Sequence, residues 1–562
     1  MVSSIFIATC AYSLLYFGFL NSSVLAFPTY GCLNETKVKG VIFPGLIEAT
    51  TEDLIAGLES KLFSSVDLVN TYVARINEMN STLHMVTELN PDALCIAAEL
   101  DAERANGTVR GPLHGMPILI KNNIATRDKM NNTAGSFALL GAKVPRDSTI
   151  AAKLRKAGVI ILGKTNMSQW ANLRSSNSSN GWSAYGGQTY GAYYPGQDPS
   201  GSSSGSGVSS SLGLALAALG TETDGSIVSP SELNNLVGIK PTVGLTSRSL
   251  VIPISQHQDT VGPMARTVKD AAYLLQVIAG KDKYDNYTSA IPHDPLPDYV
   301  AACNFSALSG KRIGVPRNNI YEVDNYTFPI IDAFNAALKV LEAAGAEIFD
   351  PTNYTAWDAY FNSSSEAYVL DAGFVAELPA YLSQLTYNPT GVKNLADVRA
   401  FTHAFAQEDW PDRNTFTWDQ SLNLTFNNTS PEFWKYYQED LYYGGTGGLL
   451  GALKNFSLDA IVIPTYFSSS ISAIIGAPIV TVPLGSYPPN TTVVTNSRGD
   501  LNATAPNIPF GISFAGAKWS ESDLIGYAYA FEQRTKVRDT IQPYIFPTTE
   551  LGDVVEKRKV RH

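Results

Sequence analysis

Ser202, Ser203 and Ser204 stand side by side in the stretch PSGSSSGSG (199–207), and Lys121 closes the apolar run Met116-Pro-Ile-Leu-Ile. Hydroxyls and an amine can between them cleave an acyl bond: a serine attacks a carbonyl once a base takes its proton, and a neutral amine can be that base. In water a lysine, with a pKa of about 10.4, is protonated at neutral pH. Desolvation at the end of a buried strand lowers that value by several units, and the apolar run before Lys121 suits such a strand. Most lysines are solvated surface charges, so Lys121 becomes a candidate only if the right partners surround it. The serine run itself reads two ways. Chain rich in Gly and Ser is what flexible linkers are made of, yet the same residues suit a loop where backbone approaches closely and a hydroxyl is presented.

Two shorter patterns offer other chemistries. Gly201-Ser-Ser-Ser-Gly205 fits G-x-S-x-G, the nucleophile elbow, with Ser203 as nucleophile. That turn needs a strand directly before the serine, and YYPGQDPS, with its prolines and glycine, is a poor one. A late histidine would also have to complete the site, and neither His403 nor His562 has a suitable context. Gly158-Val-Ile-Ile-Leu-Gly163-Lys164-Thr165 fits the phosphate-loop pattern G-x-x-x-x-G-K-[ST]. A phosphate cradle needs a loop with inward N–H groups, whereas Val-Ile-Ile-Leu predicts a core strand.

The elements that must position these residues alternate helix and strand. Ser64 caps a helix whose apolar residues Leu68, Val69, Tyr72, Val73 and Ile76 recur at helical spacing. PDALCIAAELDAERANG reads as a second helix ending at Gly107, Met116–Lys121 as a short buried strand, and TIAAKLRKAGVIILGK as a helix closed at Gly158 and followed by a strand. From Trp182 to Gly207 the periodicity is lost; it returns in VSSSLGLALAALG (208–220), which reads as an apolar helix. AIVIP (460–464) and APIVTVPLG (477–485) predict buried strands, and ESDLIGYAYAFEQRT (521–535) a helix. Residues 280–450 are aromatic-rich, with helical patches such as FPIIDAFNAALKVLEAAGA. With no internal repeat and no charged linker, the pattern predicts one large α/β domain with insertions.

From Gly201 to Gly244 the chain runs GSSSGSGVSSSLGLALAALGTETDGSIVSPSELNNLVGIKPTVG. This resembles the amidase signature family: a Gly/Ser-rich loop, an Ala/Leu-rich stretch, G-T-x-x-G-S-I, then G-x-K-P-T-x-G. The resemblance extends upstream through GPLHGMPILIKNNI (111–124), TAGS (133–136) and GKTNMSQWA (163–171). Downstream it takes in PISQHQDTVGPMARTVKD (253–270), GAPIVTVPLG (476–485) and the helix ending AYAFEQRT, while residues 280–450 carry little of it. It implies a single domain over residues 27–562, with a central mixed twisted β-sheet covered by helices on both faces and a variable region at about 280–450.

The chemistry implied is hydrolysis of the C–N bond of carboxylic amides by a Ser-Ser-Lys triad. Ser226 would be the nucleophile that carries the acyl group, Ser202 the relay and Lys121 the base; a hydroxyl can donate and accept at once, as a relay must. The resemblance also implies a cis Gly201–Ser202 peptide bond and an oxyanion held by backbone N–H groups of Thr223, Asp224, Gly225 and Ser226. It places Gly135 and Ser136 beside the nucleophile as substrate-binding residues, although an ordinary helix start reads there equally well. No cofactor or metal is implied, and the partner is a small-molecule amide. Two departures from the common pattern stand out. Asp224-Gly-Ser-Ile-Val228 replaces Gly-Gly-Ser-Ile-Arg, which removes a buried charge partner, and Ser204 replaces a glycine.

The chain has 562 residues, a net charge of -11 and a pI near 5.2, so it offers no basic stripe to nucleic acid. Residues 1–26 hold an apolar run ending Val24-Leu25-Ala26, which reads as a secretory signal cleaved before Phe27. Tyr12, Ser13, Tyr16 and Asn21 interrupt the run, which is short of the roughly 20 apolar residues a bilayer span needs, so no membrane span is expected after cleavage. Sequons at Asn34, Asn80, Asn286, Asn304, Asn325, Asn353, Asn362, Asn423, Asn455, Asn490 and Asn502 predict N-linked glycans on a secreted protein. Asn131, Asn166 and Asn177 also head sequons, but inside the anchors, and Asn131 and Asn166 are expected bare. Cleavage would remove Cys10 and leave Cys32, Cys95 and Cys303, enough for one disulfide of undetermined pairing and one odd thiol. The six histidines lack metal-ligand spacing. Two other roles share the fold: the glutaminase subunit of a tRNA-dependent amidotransferase, which a signal peptide opposes, and a non-catalytic secreted glycoprotein, which Lys121, Ser202 and Ser226 oppose. Oligomeric state is not legible.

Overall fold

The computed structural model describes residues 35–38, 41–321 and 326–560. The expected signal at 1–26, Cys10, Cys32, Asn34, Asn325 and His562 lie outside these residues.

Eleven strands make one mixed sheet. From edge to edge they are Glu347–Phe349, Arg312–Gly314, Ala460–Pro464, Pro509–Ala515, Ile479–Ser486, Val237–Lys240, Thr260–Ala265, Ala218–Glu222, Pro117–Lys121, Ile160–Thr165 and Val86–Leu89. Pro117–Lys121 lies parallel to both of its neighbours, whereas Thr260–Ala265 and Ile479–Ser486 run antiparallel to theirs. Ile118-Leu119-Ile120 and Ile160-Ile161-Leu162 are wholly buried, the pattern of strands covered on both faces rather than of a half-exposed sheet.

The covering helices begin and end on the expected residues. Ser65–Leu83 starts with a capping box between Ser64 and Asp67, and Thr149–Lys156 takes its cap from Ser148 before Gly158 turns the chain at φ +78°. Glu521–Thr535 packs against the strands Ile479–Ser486 and Pro509–Ala515. Among the described residues no helix is long and apolar enough to cross a membrane.

The 208–220 stretch is corrected. Its helix is Ser204–Ser211, inside the serine run, and Ala218–Glu222 is a strand pairing with Thr260–Met264 and with Leu119-Ile120. Between them Gly213 turns at φ +58°, where a Cβ would stand 2.2 Å from the Leu46 carbonyl oxygen. An apolar run enclosed on every side carries no periodicity to separate helix from strand, and sheet pairing decides. Residues 280–450 are likewise more than an appendage, because Arg312–Gly314 and Glu347–Phe349 extend the sheet around the helix Phe328–Ala343. Helices Ser365–Leu382, Leu395–Ala404 and Phe416–Asn423 then build a second apolar cluster around Trp170, Phe374 and Trp418.

The two ends of the described chain are locked together. Arg75, wholly buried, donates to the Gly213 carbonyl (2.8 Å), the Thr549 carbonyl (2.7 Å) and Glu550 Oε1 (2.8 Å), while Glu550 Oε2 accepts the Leu46 N–H. Cys95 and Cys303 are both free thiols, so the one pairing open to them among the described residues does not form.

Candidate active site

Lys121 ends its strand with a wholly buried side chain. Its Nζ stands 2.7 Å from Ser202 Oγ, 2.9 Å from Ser203 Oγ and 3.1 Å from the Thr221 carbonyl oxygen. Among the described residues no carboxylate is bonded to it. Burial lowers the amine to about 7 against the weaker pull of Glu222 and Asp259, so near neutrality a large share of it is unprotonated. A neutral amine has one lone pair, which a serine hydroxyl can fill with its proton.

The serine run is no linker. Ser202, Ser203, Ser204 and Ser206 are wholly buried, the Gly201–Ser202 peptide is cis, and the run passes into a helix at Ser204. A Cβ on Gly205 would sit 2.2 Å from the Met85 carbonyl oxygen and 2.7 Å from the Asn166 backbone, which is why glycine stands there. Ser202 Oγ donates to Ser226 Oγ at 3.1 Å, so Lys121, Ser202 and Ser226 form one hydrogen-bonded line. Ser203 instead gives its proton to the Thr221 carbonyl, and no strand precedes it as an elbow would need. The phosphate-loop match is the buried strand Ile160–Thr165, with the Lys164 ammonium on the Asn132 side chain and the Ile124 carbonyl.

Ser226 sits in the turn between the strand Ala218–Glu222 and the helix Val228–Leu233. Gly225 takes φ +78°, and a Cβ there would lie 2.9 Å from Ser229 Oγ. One carboxylate holds the turn: Glu222 Oε2 accepts the N–H groups of Ile227 (2.7 Å) and Val228 (2.9 Å). Among the described residues, no acceptor takes the N–H groups of Asp224, Gly225 or Ser226. Thr223 donates its hydroxyl to Asp259 (2.7 Å), and Asp224 accepts that of Ser470 (3.0 Å). Val228, where the common pattern has arginine, packs in an apolar cluster with Ile461, Ile479 and Ala515.

Ser136 caps a short helical turn. Its hydroxyl donates to Glu408 (2.7 Å) and accepts the Ala138 N–H, and the Gly135 carbonyl accepts from Tyr185. Sequence reasoning missed Glu222 and the contact of Ser203 with Lys121. Glu222 was within reach of it, since a carboxylate just before a helix start takes the free N–H groups there. Ser203 as a second contact of Lys121 was not, because nothing in three consecutive serines says which way each hydroxyl points.

A serine hydroxyl, a second hydroxyl bonded to it, an amine lowered to about 7 and unclaimed N–H groups beside the first hydroxyl have between them the chemistry for acyl transfer. The family profile for amidases matches residues 67–525, a span that contains all of them. The chain belongs to the amidase family. This amidase is 53% identical over 533 residues to a relative from Arthroderma benhamiae that bears the amidase name, with 91% of this chain and 90% of the relative covered. Its fold matches the native peptide amidase of Stenotrophomonas maltophilia with a TM-score of 0.79 and 37% identity, over 89% of this chain and 99% of that one. The amidase also resembles a glutamyl-tRNA(Gln) amidotransferase subunit from Acidothermus cellulolyticus, 35% identical over 64% of this chain and 69% of that relative. As an amidase it hydrolyses amide C–N bonds.

Proposed function

We propose that this amidase works through an acyl-enzyme on Ser226, with Ser202 as proton relay and Lys121 as base, and that it is a secreted glycoprotein acting on carboxamides, peptide amides among them. The observation that carries the catalytic reading is the unbroken line from Lys121 Nζ through Ser202 Oγ to Ser226 Oγ, at 2.7 and 3.1 Å. Neutral Lys121 takes the Ser202 proton as Ser202 takes that of Ser226, and Ser226 Oγ attacks the carbonyl carbon. The oxygen that gains the charge faces the N–H groups of Asp224 to Ser226, each such donor being worth about 10²–10³ in rate. On collapse the C–N bond breaks and the proton on Lys121 returns through Ser202 to the leaving nitrogen. Water then follows the same route and releases the acid.

The peptide-amide class rests on the likeness to the Stenotrophomonas peptide amidase, with a TM-score of 0.79 at 37% identity. Secretion rests on the apolar segment at 1–26 and on sequons at the exposed residues Asn286, Asn304, Asn353, Asn362, Asn423, Asn455 and Asn490. Ser226→Ala is expected to abolish both ammonia release from a blocked peptide amide and labelling by a serine-reactive phosphonate. Labelling that survives in Ser226→Ala would move the nucleophile to Ser203. A wild-type protein inert on a broad panel of amides and esters would favour the non-catalytic reading.

A further inference from the structure

A cavity of about 520 Å³ lies beside the nucleophile turn. Its aromatic wall includes Tyr321, Trp357, Tyr360 and Phe467, with ring centroids 5.2 Å apart for Tyr321–Phe467, 6.4 Å for Tyr321–Trp357 and 5.9 Å for Trp357–Tyr360. Its polar wall includes Glu366, Ser469 and Ser470. Ser470 donates to Asp224, and Ser469 Oγ lies 3.3 Å from where a Cβ on Gly225 would begin, so two serines of the cavity wall pack directly against the Asp224-Gly225 turn.

The chemistry of this wall has one sign. Glu366 accepts from Gln258 Nε2 (2.8 Å) and the Tyr360 hydroxyl (3.0 Å), and among the described residues neither Glu366 nor Asp224 is in an ion pair. Burial and the facing charges of Asp224 and Asp440 push the Glu366 carboxyl well above the usual range. The cation acting on Asp224 is Lys240, whose ammonium is held by the Ala477 carbonyl. Gln258, 1% exposed, keeps its Oε1 buried without a partner. Burial without a counter-ion keeps such a carboxyl protonated, and a cation placed beside it restores the charge. Ring faces, which carry negative charge density, and acceptor oxygens together complement an organic cation.

We infer that this cavity receives a cationic side group of the amide substrate, a guanidinium or primary ammonium, with Glu366 and Asp224 as its counter-ions and the faces of Trp357 and the tyrosines around it. The inference rests on the reading of Ser226 as the attacking residue, because that places the cavity next to the reacting carbonyl. It makes Glu366 a specificity-determining residue, supplied by the part of the chain that least resembles the common pattern.

Nα-acetyl-argininamide and Nα-acetyl-citrullinamide share a shape and differ by the charge. Calorimetric titration of Ser226→Ala with each reads binding without turnover. Argininamide is expected to bind at least about tenfold more tightly, the effect of one charge-assisted hydrogen bond, and adding Glu366→Gln or Trp357→Leu should shrink that ratio toward one. Equal affinity for the two amides, or a ratio that survives both substitutions in folded protein, overturns the inference. Should Glu366→Gln fail to fold, Trp357→Leu decides alone. Hydrolysis by the wild type is scored separately: an arginine preference in binding with no turnover of either amide sinks the Ser226 mechanism and leaves the cavity assignment standing.

Discussion

At the scale of single residues, the proposed mechanism makes Lys121 the group that sets the pH profile. Its amine, lowered to about 7 by burial, must be neutral to take a proton, so kcat/KM should fall about tenfold per pH unit below 7 and level off above it. A stopped assay with an uncharged amide between pH 5 and 9 measures this. An acid limb near pH 4, the sign of a carboxylate base, would remove Lys121 from the role. The residues are legible in the sequence to different degrees. Lys121, Ser202 and Ser226 follow from the resemblance to the amidase signature family and meet at hydrogen-bond distance. Ser136 follows from the same resemblance, yet its hydroxyl turns to Glu408, a residue 272 positions away that no local pattern could connect to it.

At the scale of elements, the turn between the strand Ala218–Glu222 and the following helix depends on Glu222. Glu222→Ala leaves the Ile227 and Val228 N–H groups without their acceptor, a loss of about 1–3 kcal/mol, expected as a lower melting temperature and a larger fall in kcat than rise in KM. Glu222→Gln keeps an acceptor but removes a charge that favours protonated Lys121, so its acid limb should move below 7 while its melting temperature stays closer to that of the wild type. An unmoved limb in both variants would show that Glu222 acts on the fold alone. Capped amphipathic helices such as Ser65–Leu83 are readable because one face is wet, and a wet face writes a period into the sequence. The run 208–220 is not, because water reaches neither side of it.

At the scale of the whole molecule, burial sorts the glycosylation sites. Peptide mapping of protein made in a eukaryotic secretory host should find glycans among the exposed sequons and none on Asn131 or Asn166. The Asn131 side-chain nitrogen donates to Glu88 (2.8 Å), and Asn166 is wholly buried with its own on Thr189 (3.0 Å) and the Gly187 carbonyl. Glycans on both would contradict the packing around the serine run, where the Asn166 carbonyl accepts the Gly205 N–H. The grip of Arg75 on Glu550 sets a timetable for the newborn chain. These partners are 475 residues apart, and at 5–20 residues per second a ribosome needs roughly 25–95 s to travel from one to the other. Until it does, the Arg75 guanidinium waits without its carboxylate, so the lock between the two ends of the chain closes only once the tail has been made.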